Sequence, residues 1–210
     1  MDTRTEILQA AATVFAQHGF RGSTTRRIAD AAGVNEVTLF RYFGSKDALL
    51  KEAIGIAAAR SDMVRLPEDP VDPRAELTNW STVVIDYIEA RCPMIRKCMG
   101  ELDERPSVTE YAVSAPIRAT KELCTYFQRL RESGFTDTEF NDIAAASMLI
   151  GALFHDAMGR EVMSEALPPR DKAPAHYVDL LLRGIGVSSA DIADTPTTPA
   201  RTKLARDLES

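Results

Sequence analysis

A chain of 210 residues, 45% apolar and 27% charged, is long enough for a sizeable core and has a globular balance that excludes disordered and fibrous classes. Its net charge of −6 excludes a protein coated all over in nucleic acid. Charge is unevenly spread, however: residues 1–50 carry six Lys/Arg against five acids, so the acidity belongs to the remainder.

The longest nearly uncharged apolar run, Ala144 to Phe154, has 11 residues, short of the roughly 20 that a bilayer-spanning helix needs. The opening MDTRTEILQAAATVFAQHG has acidic residues and neither a long apolar block nor a small-residue cleavage site. A cytoplasmic protein with no membrane contact is therefore expected. Cys92, Cys98 and Cys124 form no CxxC pair, and His18, His155 and His176 are far apart. Reduced thiols are expected, with no metal site and no cofactor.

In chain order, Ile7, Leu8, Ala11, Val14 and Phe15 recur with a helical period and Gly19 follows as a stop. A short second helix is expected over Thr25 to Ala31, capped by Ser23 or Thr24, with Ile28, Ala29 and Ala32 turned inward. Gly33 breaks it. Asn35 caps a third helix whose Leu39 and Phe43 share one face, and Gly44 ends it by tolerating a left-handed conformation. Ser45 then caps a fourth helix running to about residue 61.

LPEDPVDPR holds three prolines in nine residues and reads as a connection. Beyond it Leu77, Trp80, Val84 and Tyr87 mark a helical stripe, as do Leu123, Phe127 and Leu130. From Thr138 to Val162 apolar residues cover most of the circumference, so that helix requires burial on several sides. Ala175 to Ile185 supplies a further helix, and these two are expected to pair across a dimer. His155 and Asp156 read as a satisfied buried or interfacial pair, and Gly151 and Gly159 as points of close helix approach. No hairpin signal or alternating β-branched run appears. The fold class is all-α: an N-terminal three-helix helix-turn-helix domain over 1–50, a connecting helix to about 61, a larger helical domain over 70–187, and a loose tail over 188–210.

The chemistry concentrates in GSTTRRIADAAGVNEVTLFRYFGSKDALL. Two short helices across a Gly-containing turn form the unit whose second helix enters the DNA major groove. With Leu39 and Phe43 facing the core, Val37, Thr38, Arg41 and Tyr42 fall outward, and Asn35 and Glu36 sit at the end that approaches base edges. Thr38 can donate to phosphate or base, Val37 can meet a thymine methyl, and Arg41 can reach guanine or phosphate. Thr25 and Arg26 open helix two and Lys46 opens helix four, where helix N-termini favour anions. Glu36 either accepts from a cytosine amino group or favours the helix dipole.

These residues resemble the TetR family of bacterial transcriptional regulators. FAQHGFRGSTTRRIA is similar to the family's first-helix ending and entry, AAGV to its turn, and TLFRYFGSKDALL to its recognition helix and exit, in order and without a gap. The resemblance implies that Thr25, Arg26, Glu36, Val37, Thr38, Phe40, Tyr42 and Lys46 lie near DNA, with the threonines, Tyr42 and Lys46 chiefly at phosphates. It places base choice at Arg26 and residues 35–38. Two positions depart from the family: Phe40 stands where tyrosine is usual, and Val37 where glycine is frequent.

The resemblance fades after about residue 60. It implies a body that dimerises through its last two long helices and encloses an effector pocket. Trp80, Tyr87, Met94, Met99, Phe127, Met148 and Phe154 are candidate pocket residues, suited to an apolar or aromatic effector, though each also fits ordinary core. The expected function is a non-enzymatic, ligand-responsive repressor that binds palindromic double-stranded operator DNA as a homodimer. The rivals are an activator or ligand-independent DNA binder, and a helical binding protein or enzyme with a vestigial head. The sequence holds no GxSxG, P-loop or paired-His motif to favour an enzyme.

Overall fold

The computed structural model describes residues 2–59, 65–101, 104 and 114–188, which form nine α-helices and no strand. The N-terminal set is α1 (Thr3–Gly22), α2 (Thr25–Ala31), α3 (Glu36–Phe43) and α4 (Lys46–Ala59). Each start has a local cause. Asp2 accepts from the Thr5 amide at 2.9 Å, Thr24 from Arg27 at 3.2 Å, Asn35 from Thr38 at 2.8 Å and Ser45 from Ala48 at 3.1 Å. Thr24 is thus the cap of α2. Ser23 is buried, and its hydroxyl donates to the Gly19 carbonyl at 2.6 Å.

Ile7, Ala11, Phe15, Ile28, Leu39, Leu49, Leu50 and Ile54 from all four helices make one core. Gly19 takes φ 66° and ψ −173°, so α1 breaks there and then makes one more turn to Gly22. The stop read from sequence is a kink. Gly44, at φ 72°, turns the chain from α3 into α4, a conformation that costs residues with a Cβ roughly 1–2 kcal/mol.

The second set is α5 (Pro73–Glu89), α6 (Cys92–Gly100), α7 (Ser114–Glu132), α8 (Asp142–Met163) and α9 (Ala173–Gly184), with a 3-10 turn at Ser164–Ala166 between the last two. Leu77, Trp80, Ile85, Leu123, Tyr126, Phe127, Leu149, Leu153, Val178 and Leu182 form its core. Large apolar side chains buried this fully contribute about 1.5–3 kcal/mol each. Part-buried ion pairs orient the helices. Arg74 meets Asp179 at 2.7 Å, joining α5 to α9, and Arg131 meets Asp142 at 2.7 Å, joining α7 to α8.

Three expectations change. The long helix begins at Asp142, because Asn141 accepts from the Ala144 amide at 2.9 Å and caps it. Asp156 is fully buried, but its partners are Arg160 at 2.5 Å and the Tyr177 hydroxyl at 2.9 Å, whereas His155 is exposed. Gly151 is exposed with nothing within 4 Å of an added Cβ, so no close helix approach occurs there within the single chain. The tail expected over 188–210 lies, beyond Ser188, outside the described residues.

Candidate nucleic-acid interface

α3 is eight residues long and amphipathic for a simple reason: Leu39 and Phe43, four apart, enter the core, which fixes the helix's rotation. Val37 is consequently 75% exposed, Phe40 46% and Tyr42 41%. Arg41 is exposed beside them, its guanidinium 5.5 Å from the centroid of the Tyr42 ring. Arg26 is also exposed, on the neighbouring α2. Large apolar side chains held in water on a helix of fixed orientation form a surface suited to a partner.

The polar residues of this surface are already ordered by one another. Asn35 Oδ1 accepts from both the amide and the hydroxyl of Thr38, at 2.8 and 3.0 Å. The Thr38 hydroxyl proton is therefore engaged, and toward DNA this oxygen is an acceptor until that bond breaks. Thr25 donates from Oγ1 to Glu36 Oε2 at 2.6 Å, so Glu36 links α3 to α2 in addition to standing at a helix start. Lys46 donates to the Phe20 carbonyl at 2.9 Å, with its ammonium 4.1 Å from the centroid of the Phe20 ring. Arg27, which the sequence did not single out, donates to the Gly22 carbonyl and closes the α1–α2 junction.

All ten head candidates, Thr25, Arg26, Asn35, Glu36, Val37, Thr38, Phe40, Arg41, Tyr42 and Lys46, thus lie on α2, α3 and the start of α4 or at their caps. The body candidates do not form one group. Trp80 and Phe127 are fully buried in the second core, with Tyr87 and Phe154 half-buried against it. Met94 packs against the N-terminal core instead. Met99 and Met148 are surface residues, 52% and 74% exposed, because α6 and α8 turn those positions outward; neither lines an interior site in the single chain.

Comparison with known proteins agrees with this geometry. Residues 7–53 match the family model for bacterial regulatory proteins of the tetR family. An uncharacterised helix-turn-helix transcriptional regulator of Bacillus subtilis, YvkB, is 26% identical over 188 residues, covering 87% of this chain and 97% of its own. The transcriptional repressor KstR2 of Rhodococcus jostii is 47% identical, but over 51 residues, 24% of this chain and 25% of its own. The repressor AcnR of Corynebacterium efficiens is 38% identical over 68 residues, 32% of this chain and 34% of its own.

Among solved structures, a protein described as a TetR-family transcriptional regulator from Mesorhizobium loti superposes with a TM-score of 0.73 at 21% identity, covering 88% of this chain and 97% of its own. Salmonella enterica GusR superposes with a TM-score of 0.69 at 23% identity, covering 87% and 94%. The structural likeness extends the shared fold through the body, where sequence likeness is weak. With the helix-turn-helix geometry and the family match, residues 7–53 form a domain of the bacterial regulatory tetR type, and the chain as a whole is similar to TetR-family transcriptional regulators in sequence and fold.

Proposed function

We propose that this regulator is a repressor that binds a palindromic operator as a homodimer and leaves it when a small molecule occupies the body. The observation that carries the reading is the outward face of α3, where Val37, Phe40, Arg41 and Tyr42 are exposed on a helix locked in place by Leu39 and Phe43. Inserted in the major groove, that face presents apolar contacts for thymine methyls and one guanidinium, with Arg26 directed to a base edge, while Thr25 and Lys46 approach the flanking backbone. Two relatives matched in the head are named repressors, which favours repression over activation. Acting on DNA, the protein works in the bacterial cytoplasm.

The homodimer is supported by the outer faces of the last two helices. Ile143, Met148 and Val162 on α8 and Leu180 on α9 are 65–83% exposed in the single chain. A second copy, related by a two-fold axis, would bury this surface against itself. The same axis gives the operator its inverted repeat.

The effector reading is supported by two buried polar atoms, Trp80 Nε1 and Ser81 Oγ, which have no hydrogen-bond partner among the described residues. A mainly apolar or aromatic ligand carrying an acceptor would satisfy them, with Tyr87, Phe127 and Phe154 nearby in the same core. Release requires that the ligand bind more tightly to a dimer whose heads no longer fit successive grooves. Genome-wide footprinting of bound DNA, followed by a screen for compounds that release it, tests this. Discrete palindromic sites and a releasing compound are expected; an absence of specific sites under every condition refutes it.

A further inference from the structure

Phe20, part of the N-terminal core, is hydrogen-bonded to the end of α6. The break at Gly19 places its amide at the start of a new turn, where an α-helix offers no acceptor four residues back. Phe20 is buried, and its N–H donates across to Oε1 of Glu101, at 3.3 Å, the residue that ends α6. On the other side of the same residue, the carbonyl accepts from Lys46 at 2.9 Å. One peptide segment thus has the body's carboxylate on its amide and the head's phosphate-facing lysine on its carbonyl.

α6 is well placed to make this link directional. At its far end Cys92 contacts α8, with Sγ 3.5 Å from the Ala157 carbonyl and 3.4 Å from Met158 Sδ. Arg96 donates to the Met158 carbonyl at 3.2 Å and to Glu161 at 2.9 Å. At its near end Cys98 is buried in the head's core. Lys97 and Glu101 lie 3.6 and 3.7 Å from where a Gly19 Cβ would stand. Arg21 pairs with Glu104 at 3.1 Å just beyond. A helix of this length spans about 13 Å between its contacts with α8 and the Gly19 kink, so it bridges the two directly.

We propose that Glu101 is a positioning residue for DNA binding: it fixes the Phe20 peptide, which in turn presents Lys46 at the start of α4, and so ties that lysine to the state of the body. This inference rests on the reading of α3 and the first turn of α4 as DNA-facing. An ammonium has three donors, so the bond to Phe20 orients Lys46 without precluding phosphate. What matters at position 101 is the reach of the acceptor, not its charge.

Two conservative variants separate reach from charge. Glu101→Gln keeps an acceptor at the same reach and removes the charge; Glu101→Asp keeps the charge and withdraws the acceptor by one methylene. Both are compared with the wild-type full chain on a duplex that the wild type selects from a random pool. Glu101→Gln is expected to bind within about twofold of wild type, and Glu101→Asp about tenfold more weakly, the range for a buried group losing its partner. In a Lys46→Ala background the Glu101→Asp loss should vanish, since the two act through one residue. Amide exchange at Phe20 should quicken in Glu101→Asp and stay slow in Glu101→Gln. Wild-type binding by Glu101→Asp, a loss that persists in full without Lys46, or loss of Phe20 protection in Glu101→Gln overturns the inference. Failure of the wild type to select any duplex defeats the DNA reading itself, and the inference with it.

Discussion

Thr25 Oγ1 donates to Glu36 Oε2 at 2.6 Å, binding the first turn of α2 to the first turn of α3 across the loop that separates them. The relative placement of the two helices, and with it the outward face of α3, depends partly on this bond. Thr25→Val keeps the shape and removes the donor. A hydrogen bond to a charged, part-buried group contributes about 1.5–3 kcal/mol, and urea unfolding of the variant should show a loss near the lower end of that range. An unchanged midpoint would mean that the core residues Ile28 and Leu39 alone hold the two helices.

Lys46 and Arg26 should fail in different ways. If Lys46 meets a phosphate, Lys46→Ala weakens binding to all duplexes and reduces the slope of log K against log salt by about one unit. Arg26 stands exposed at the start of α2; if it meets a base edge, as proposed, Arg26→Ala changes the preferred sequence. Binding measured from low to moderate salt on several duplexes separates the two. Equal salt slopes for wild type and Lys46→Ala would remove Lys46 from the phosphate contacts.

Met148 and Leu180, 74% and 69% exposed on α8 and α9, test the dimer. Met148→Asp with Leu180→Asp places two charges in the proposed interface, where desolvation opposes their burial. Light scattering should report a dimer for the wild type and a folded monomer for the variant, with operator affinity falling together with the dimer. A variant that remains dimeric places the interface elsewhere.

Much of the head was legible in its sequence because its signals are local. Thr24, Asn35 and Ser45 are caps whose partners lie three residues on, Gly44 is a glycine at positive φ, and Leu39 with Phe43 set the helix rotation by spacing alone. The body was less so. α6 shows little pattern in nine residues, yet it holds contacts to positions more than sixty residues away, at Ala157 and Met158, and to Phe20 across 81 residues. Such pairings leave no periodic trace. Met99 and Met148 illustrate the same limit, since composition suggests a pocket lining and only the rotation of each helix shows that they face outward. His155 stands beside Asp156 in sequence, but adjacent residues on a helix point about 100° apart, and Arg160, four residues on, is the geometrical neighbour of Asp156.

Tyr177 makes alkaline stability a probe of the α8–α9 packing. Burial, followed by its hydrogen bond to Asp156, pushes the phenol from its ordinary 10.0 up to about 12. The folded chain therefore holds this proton more tightly than the unfolded one. The stability it contributes is fully present below pH 10 and is lost as pH rises toward 12. Tyr126, buried and bonded to Glu76, is raised for the same reasons and contributes in the same direction. The informative quantity is the difference: Tyr177→Phe should lose stability less steeply than wild type across that interval in urea titrations at fixed pH. Parallel curves would show that the hydroxyl is not held by Asp156.

If α3 of each protomer reads half of an inverted repeat, the bound DNA must carry that symmetry. The direct measurement is selection of duplexes from a random pool by the full chain, with hydroxyl-radical footprinting of the enriched sequence. One enriched inverted repeat is expected, its half-sites protected on one face of the duplex and about 34–36 Å apart or a multiple of that. Selection without an enriched sequence, or a single unrepeated site with one protected patch, would contradict it.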